Sequence, residues 1–149
     1  QEIASLIRQY HTATEPVAVA FRPQCLIDVA GQKEAFEALA NQSVGSFCGI
    51  GNPAGFRQTI AGLGVELAWE EHFPDHHHYS QQELTRLTEQ AEQTGVAAVL
   101  TTEKDLVKLE EMPPGDVPIW GVRISARVVD GADVLEAAFA RILSRLCAQ

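Results

Sequence analysis

Asp75, His76, His77 and His78 stand side by side, and His72 lies three residues before the first of them. A carboxylate among imidazoles can relay a proton, orient a base or ligate a metal, because imidazole titrates near neutral pH and carries two distinct nitrogens. Adjacent histidines cannot all aim at one point, and no second ligand set such as HExxH occurs. A structural metal is therefore the weakest of these uses. An acid–base or substrate-orienting role stands against a solvated polar loop.

Two further segments carry chemistry. Gly49-x-Gly51-x-x-Ala54, with Asn52 inside it and Glu70 about twenty residues on, is a partial dinucleotide fingerprint; two glycines are equally what a tight strand-to-helix turn requires. Thr101-Thr-Glu-Lys-Asp105 sets Lys104 and Asp105 at a helix start, where free backbone N–H groups favour an anion, or else forms a capping box with an exposed charged turn. No GxxxxGK[ST] loop occurs in the chain, so any phosphoryl-transfer chemistry must be completed elsewhere.

These segments are positioned by an alternation of patterns. Ile3, Leu6, Ile7 and Tyr10 share a helical face, and Val17–Phe21 reads as a strand. A turn at 28–31 and a helix at about 33–40 follow. Val44–Cys48 is a buried strand, and Pro53 opens a helix to about 62. Val65–Trp69 is the next strand, Ser80-x-x-Glu83 caps a helix carrying Leu84, Leu87 and Ala91, and Val96–Leu100 is another strand. Pro113 and Pro114 break the chain before the strand Val117–Ile124. Asp133-x-x-Glu136 opens a last helix with Val134, Leu135, Ala138, Phe139, Ile142, Leu143 and Leu146 on its apolar side. Trp69 and Trp120 sit in strand runs and read as core.

Strands alternating with helices predict a three-layer α/β/α sandwich on a mostly parallel, Rossmann-like sheet. Ligands of such sheets bind beyond the carboxyl ends of the strands, and loops 49–53, 73–79 and 101–105 each follow a strand, so they are expected at one edge. One domain is expected over 17–149, preceded by a helix or linker over 1–16.

Composition narrows the function. Twenty acidic against eleven basic residues give a net charge of −9, which argues against a surface that grips nucleic acid or anionic lipid by itself. Cys25, Cys48 and Cys147 are widely spaced and form no CxxC, pointing to packed, reduced thiols. No apolar run approaches the roughly 20 residues of a membrane span, so a soluble intracellular setting is expected. The chain opens on Gln1 and its single methionine is Met112, so it is expected to be a piece of a longer protein.

Phe47-Cys-Gly-Ile-Gly-Asn-Pro53, Phe73-Pro-Asp-His-His77 with Tyr79, and Thr102-Glu-Lys-Asp105, in that order and spacing, resemble the C-terminal half of the tetraacyldisaccharide 4′-kinase family. The resemblance runs from about residue 17 to the last helix, with residues 1–16 similar to the tail of the preceding half. It implies the C-terminal, lid-like half of a P-loop kinase that transfers the ATP γ-phosphate to the 4′-hydroxyl of a tetraacyldisaccharide 1-phosphate in lipid A synthesis, at the cytoplasmic face of the inner membrane. It further implies that ATP and Mg²⁺ are held mainly by an N-terminal P-loop half, the partner of this one, and that this piece alone is inactive. The lipid disaccharide is then the other partner, nucleic acid is none, and membrane contact is peripheral, through the full-length protein. Carried over by position, His76 pairs with an aspartate base of the other half, His77 being the second candidate. Asp75 holds the loop, and Lys104, Asp105, Gly49, Gly51 and Asn52 face the substrate or phosphate side. His78 departs from the family, which often has proline there. A free-standing nucleotide or dinucleotide module and a noncatalytic interaction domain are the rival readings.

Overall fold

A computed structural model describes residues 2–10, 15–109 and 115–146. Met112, Pro113, Pro114 and Cys147 lie outside them. The chain divides into two units, Pro23–Ile124 and a smaller one made of Gln1–Arg22 with Ser125–Gln149.

Six strands form one sheet: β1 (Ala18–Ile27), β2 (Lys33–Glu34), β3 (Ser43–Cys48), β4 (Glu66–His72), β5 (Ala98–Thr102) and β6 (Ile119–Asp130). Their order is β2-β1-β6-β5-β3-β4. β3 runs parallel to β4 and β5, and β5 parallel to β6, whereas β2 pairs antiparallel to β1. β3 sits between two neighbours, and its residues from Val44 to Cys48 are buried, as a central strand covered on both faces must be.

The two-residue period of the strands divides the interior. Ile27, Phe47 and Val99 point to one face, where they meet Leu84, Leu87 and Ala91 of α3 (Gln81–Thr94). Leu26, Val44, Cys48, Ala98 and Leu100 point to the other, against Phe56 and Ile60 of α2 (Pro53–Ala61). This is the expected three-layer sandwich. Trp69 packs against the first cluster and Trp120 against the second.

Helix starts follow their caps. Asn52 accepts from the Gly55 N–H with Pro53 in the first turn of α2, and Ser80 and Glu83 form a complete capping box on α3. Two expectations fail. Residues 33–40 are not a helix: Lys33 and Glu34 pair with β1, and only Phe36–Leu39 turn, as a 3₁₀ segment that drops Leu39 into the interior. Burial of one leucine outweighs the helix propensity of the stretch. Thr102 caps α4 (Glu103–Leu106) by accepting from the Asp105 N–H, but Asp105 does not return the bond to the Thr102 backbone. α5 (Ala132–Leu146) opens where expected, with Asp133 in its first turn and the Gly131 carbonyl accepting the Leu135 N–H.

The smaller unit contains α1 (Glu2–Tyr10), the beginning of β1, the end of β6 and α5. α5 has no buried residue, and Phe139, Ile142, Leu143 and Leu146 are each more than half exposed. Its apolar side exists in the sequence pattern but is not covered by the described residues. No helix among the described residues is long and apolar enough to cross a membrane.

Candidate functional site

Because β3, β4 and β5 are parallel, their carboxyl ends deliver the three polar loops to one edge, and hydrogen bonds join them there. Phe73 N–H donates to the Cys48 carbonyl at 2.8 Å, and His76 N–H to the Gly49 carbonyl at 3.2 Å. The Gly49 N–H in turn donates to Oδ2 of Asp105 at 3.0 Å. Loops 49–52, 73–80 and the start of α4 thus meet at Gly49.

The histidines separate by environment. His76 has φ of 61°, in the left-handed region that is costly for a residue with a Cβ. Its side chain is 74% exposed, and Nε2 lies 3.8 Å from Oδ2 of Asp75. Asp75 Oδ1 accepts from the His76 N–H at 3.0 Å, so the carboxylate braces the loop. His77 turns inward instead. Its ring stacks on Phe73 with centroids 4.7 Å apart, and its Nε2 is 3.1 Å from Oε1 of Glu83. The other Glu83 oxygen accepts from the Ser80 N–H and hydroxyl, and these two bonds hold the Glu83 carboxyl below its ordinary range. His77 is therefore built into the cap of α3. His72 lies 3.5 Å from Glu70, and His78 is exposed.

Asp105 is fully buried, and its carboxylate faces the interior. Besides the Gly49 amide it accepts from the Thr102 hydroxyl at 2.7 Å and from Lys108 Nζ at 2.8 Å. Burial pushes this carboxyl up, but the bonds from Lys108, Thr102 and Gly49 outweigh it and hold it below its ordinary value. The reverse holds nearby: burial, with Asp105 adding to it, pushes the Cys48 thiol up to about 11 and the Tyr79 hydroxyl well up. Cys48 is thus a packed thiol. Tyr79 Oη is buried without a hydrogen-bond partner among the described residues. Lys108 escaped the sequence reading, although its spacing three residues beyond Asp105 on a helical turn was the available signal.

Lys104 is exposed, with no charged partner among the described residues. α4 is a single turn whose Asp105 N–H is already taken by Thr102, so a helix dipole adds little there. Gly51 and Asn52 do not form a pyrophosphate cradle. Asn52 occupies the Gly55 N–H, Asp105 occupies that of Gly49, and a side chain on Gly51 would lie 3.4 Å from the Asp75 carboxylate. An anion brought to this loop meets another anion. Glu70, the residue placed for a ribose, pairs with Arg57 at 3.0 Å. No three His, Cys, Asp or Glu side chains among the described residues are grouped to hold a metal ion. A cavity of about 320 Å³ lies apart from the histidines, between Asp28, Val29, Leu106 and the Arg123–Glu103 ion pair.

Known proteins match this chain along most of its length. The family model for LpxK, tetraacyldisaccharide-1-P 4′-kinase, matches residues 2–144. A tetraacyldisaccharide 4′-kinase of Anaeromyxobacter dehalogenans strain 2CP-C is 41% identical over 133 residues, 87% of this chain and 35% of the relative. That of Anaeromyxobacter sp. strain Fw109-5 is 38% identical over 141 residues, 90% of this chain and 38% of the relative. A crystal structure of LpxK from Aquifex aeolicus in complex with ATP has the same fold, with a TM-score of 0.55 at 20% identity, covering 86% of this chain and 36% of that one. The chain therefore spans little more than a third of the length of these relatives.

Proposed function

Because the chain belongs to the tetraacyldisaccharide-1-P 4′-kinase family, we propose that it is the C-terminal, substrate-side domain of an ATP-dependent lipid kinase. The reaction is transfer of the ATP γ-phosphate to the 4′-hydroxyl of tetraacyldisaccharide 1-phosphate, a step of lipid A synthesis. The site works at the cytoplasmic face of the inner membrane, with peripheral contact only. Its residues do not fit ATP or Mg²⁺: the chain has no GxxxxGK[ST] phosphate loop, the Gly49 and Gly55 amides are occupied, and the Asp75 carboxylate lies beside Gly51. Nucleotide and metal belong to an N-terminal P-loop half.

The observation that carries this reading is His76. It is the member of the histidine cluster held exposed on a left-handed backbone, at the edge where three loops meet. Strained backbone of this kind persists only where surrounding structure over-determines it, and it concentrates at functional sites. An imidazole presented in this way can hydrogen-bond a carboxylate base contributed by the other half, fix its rotamer and adjust its basicity toward a sugar hydroxyl. Asp75 braces the loop, while Lys104, without a charged partner among the described residues, offers a cation for a substrate phosphate. Phosphoryl transfer depends mainly on positioning and charge stabilisation, so a domain that supplies closure and one oriented imidazole contributes directly to rate.

The test compares kinase activity on tetraacyldisaccharide 1-phosphate of this segment alone, of the full-length gene product, and of the full-length His76→Asn variant. The segment is expected to be inactive, the full-length protein active, and the variant at least tenfold slower, by about 1.4 kcal/mol of barrier or more. Full activity of the variant would remove His76 from the mechanism. An inactive full-length protein would leave a noncatalytic interaction domain as the better description.

A further inference from the structure

We propose that Asp105 is a positioning residue for His76, acting through the backbone of Gly49; this rests on the reading of His76 given above. The two backbone groups of one glycine form the link. Its N–H donates to Asp105 at 3.0 Å, and its C=O accepts from the His76 N–H at 3.2 Å. Asp105 lies 56 residues away from Gly49 in the chain and has no solvent exposure.

Three features make the link stiff. The carboxylate is anchored through Oδ1 by the Lys108 ammonium at 2.8 Å, while the Thr102 hydroxyl at 2.7 Å shares Oδ2 with the Gly49 amide, so it cannot readily follow a moving amide. A bond from an amide to an ionised carboxylate is also stronger than one between neutral groups. Gly49 is enclosed by the histidine loop itself: a side chain there would lie 2.9 Å from Tyr79 Oη, 3.1 Å from His77 Cβ and 3.1 Å from the Pro74 carbonyl. Finally, the left-handed backbone at His76 is costly for a residue with a Cβ and must be held in place. The Gly49 carbonyl is the long-range partner that holds it. A shift of Asp105 is therefore transmitted to the imagined line between His76 and its target, and displacements approaching 1 Å at a reacting centre cost about a hundredfold in rate.

The experiment is a double-mutant cycle in the full-length gene product, with Asp105→Asn, Lys108→Met and His76→Asn alone and in pairs. In the Asn variant at position 105 an amide N–H₂ must face one of three donors, so the anchor loosens without loss of volume. Asp105→Asn is expected to lower kcat about tenfold with KM for both substrates within twofold, and to have no further effect when His76 is already Asn. Hydrogen exchange of the His76 amide should accelerate in the single variant. An equal loss of kcat in both backgrounds, or a loss confined to KM, overturns the proposal while leaving the role of His76 intact. No loss from His76→Asn overturns the role of His76 and this inference together. Lys108→Met keeps the carboxylate and its bond to Gly49, removes only the anchor on Oδ1 and carries the same expectation, so misfolding of Asp105→Asn would not shield the proposal from test.

Discussion

The indole of Trp69 lies across the α-carbon of Gly45 so closely that a methyl group on Gly45 would overlap its six-membered ring. The two residues are Cα partners on β4 and β3, just after the register shifts between Val44 and Gly45. The indole N–H is held by the Thr94 hydroxyl at 3.0 Å, so the ring has little freedom to withdraw. Gly45→Ala is therefore expected to destabilise the fold by about 2 kcal/mol, as overpacking of a filled site does. Urea unfolding measures it, and an unchanged midpoint would mean that the ring yields.

His76 separates stability from turnover. Asn tolerates the left-handed region better than other residues with a Cβ, so His76→Asn should leave the unfolding free energy within about 0.5 kcal/mol of the parent. His76→Ala should cost about 1 kcal/mol, because alanine gains nothing locally in that conformation. Both variants should lose turnover alike. Unequal turnover at equal substrate binding would mean that backbone geometry, not the imidazole, governs the rate.

Acid should weaken the fold through Asp105 and Glu83. Both are held below their ordinary values of 3.8 and 4.5, Asp105 because the bonds from Lys108, Thr102 and Gly49 outweigh burial, Glu83 first through the Ser80 N–H and then its hydroxyl. Between the folded and unfolded pKa values the unfolded chain binds more protons, so stability rises with pH across that window. The contribution is whole above about pH 5 and is lost as pH falls below 4 through the folded values. Asp105→Asn should flatten the acid limb of a melting-temperature profile. A limb of unchanged slope would show that the buried carboxylate is not ionised in the native state.

Ser80 links the histidine loop to α3. Ser80→Ala removes the side-chain bond to the Glu83 N–H and one of the donors to its carboxylate, which should cost about 1 kcal/mol. Glu83 also faces His77, so faster amide exchange should spread from the first turn of α3 into residues 76–79. Exchange confined to the helix would show that His77 is held by its ring contacts with Phe73 and Tyr79 without help from Glu83.

Much of this arrangement is local and was legible in the residues. Pro53, and Ser80 with Glu83, mark helix starts within four residues of chain, and the alternation in Phe47-Cys48 and Ala98-Val99 assigns each side chain to a face. From these follow the parallel sheet and the gathering of three loops at its edge. The stretch 33–40 misled because its pattern suits a helix, whereas pairing with β1 and burial of Leu39 decide its path. Residues outside the described segments aside, the apolar pattern of α5 was equally visible, but pattern alone does not say whether anything covers it.

What each charged residue does was a different matter. Asp75, His76, His77 and His78 are neighbours with similar chemistry, and no spacing rule tells an exposed imidazole from one stacked on Phe73. Asp105 looked like the second half of a capping box on an exposed turn until the fold brought Gly49 to it from 56 residues away. Backbone propensity, capping and two-residue alternation are properties of adjacent residues, so the chain determines them by itself. The direction of a side chain and the protonation of a buried carboxylate depend on desolvation and on partners remote in sequence, and those exist only once the chain has closed on itself.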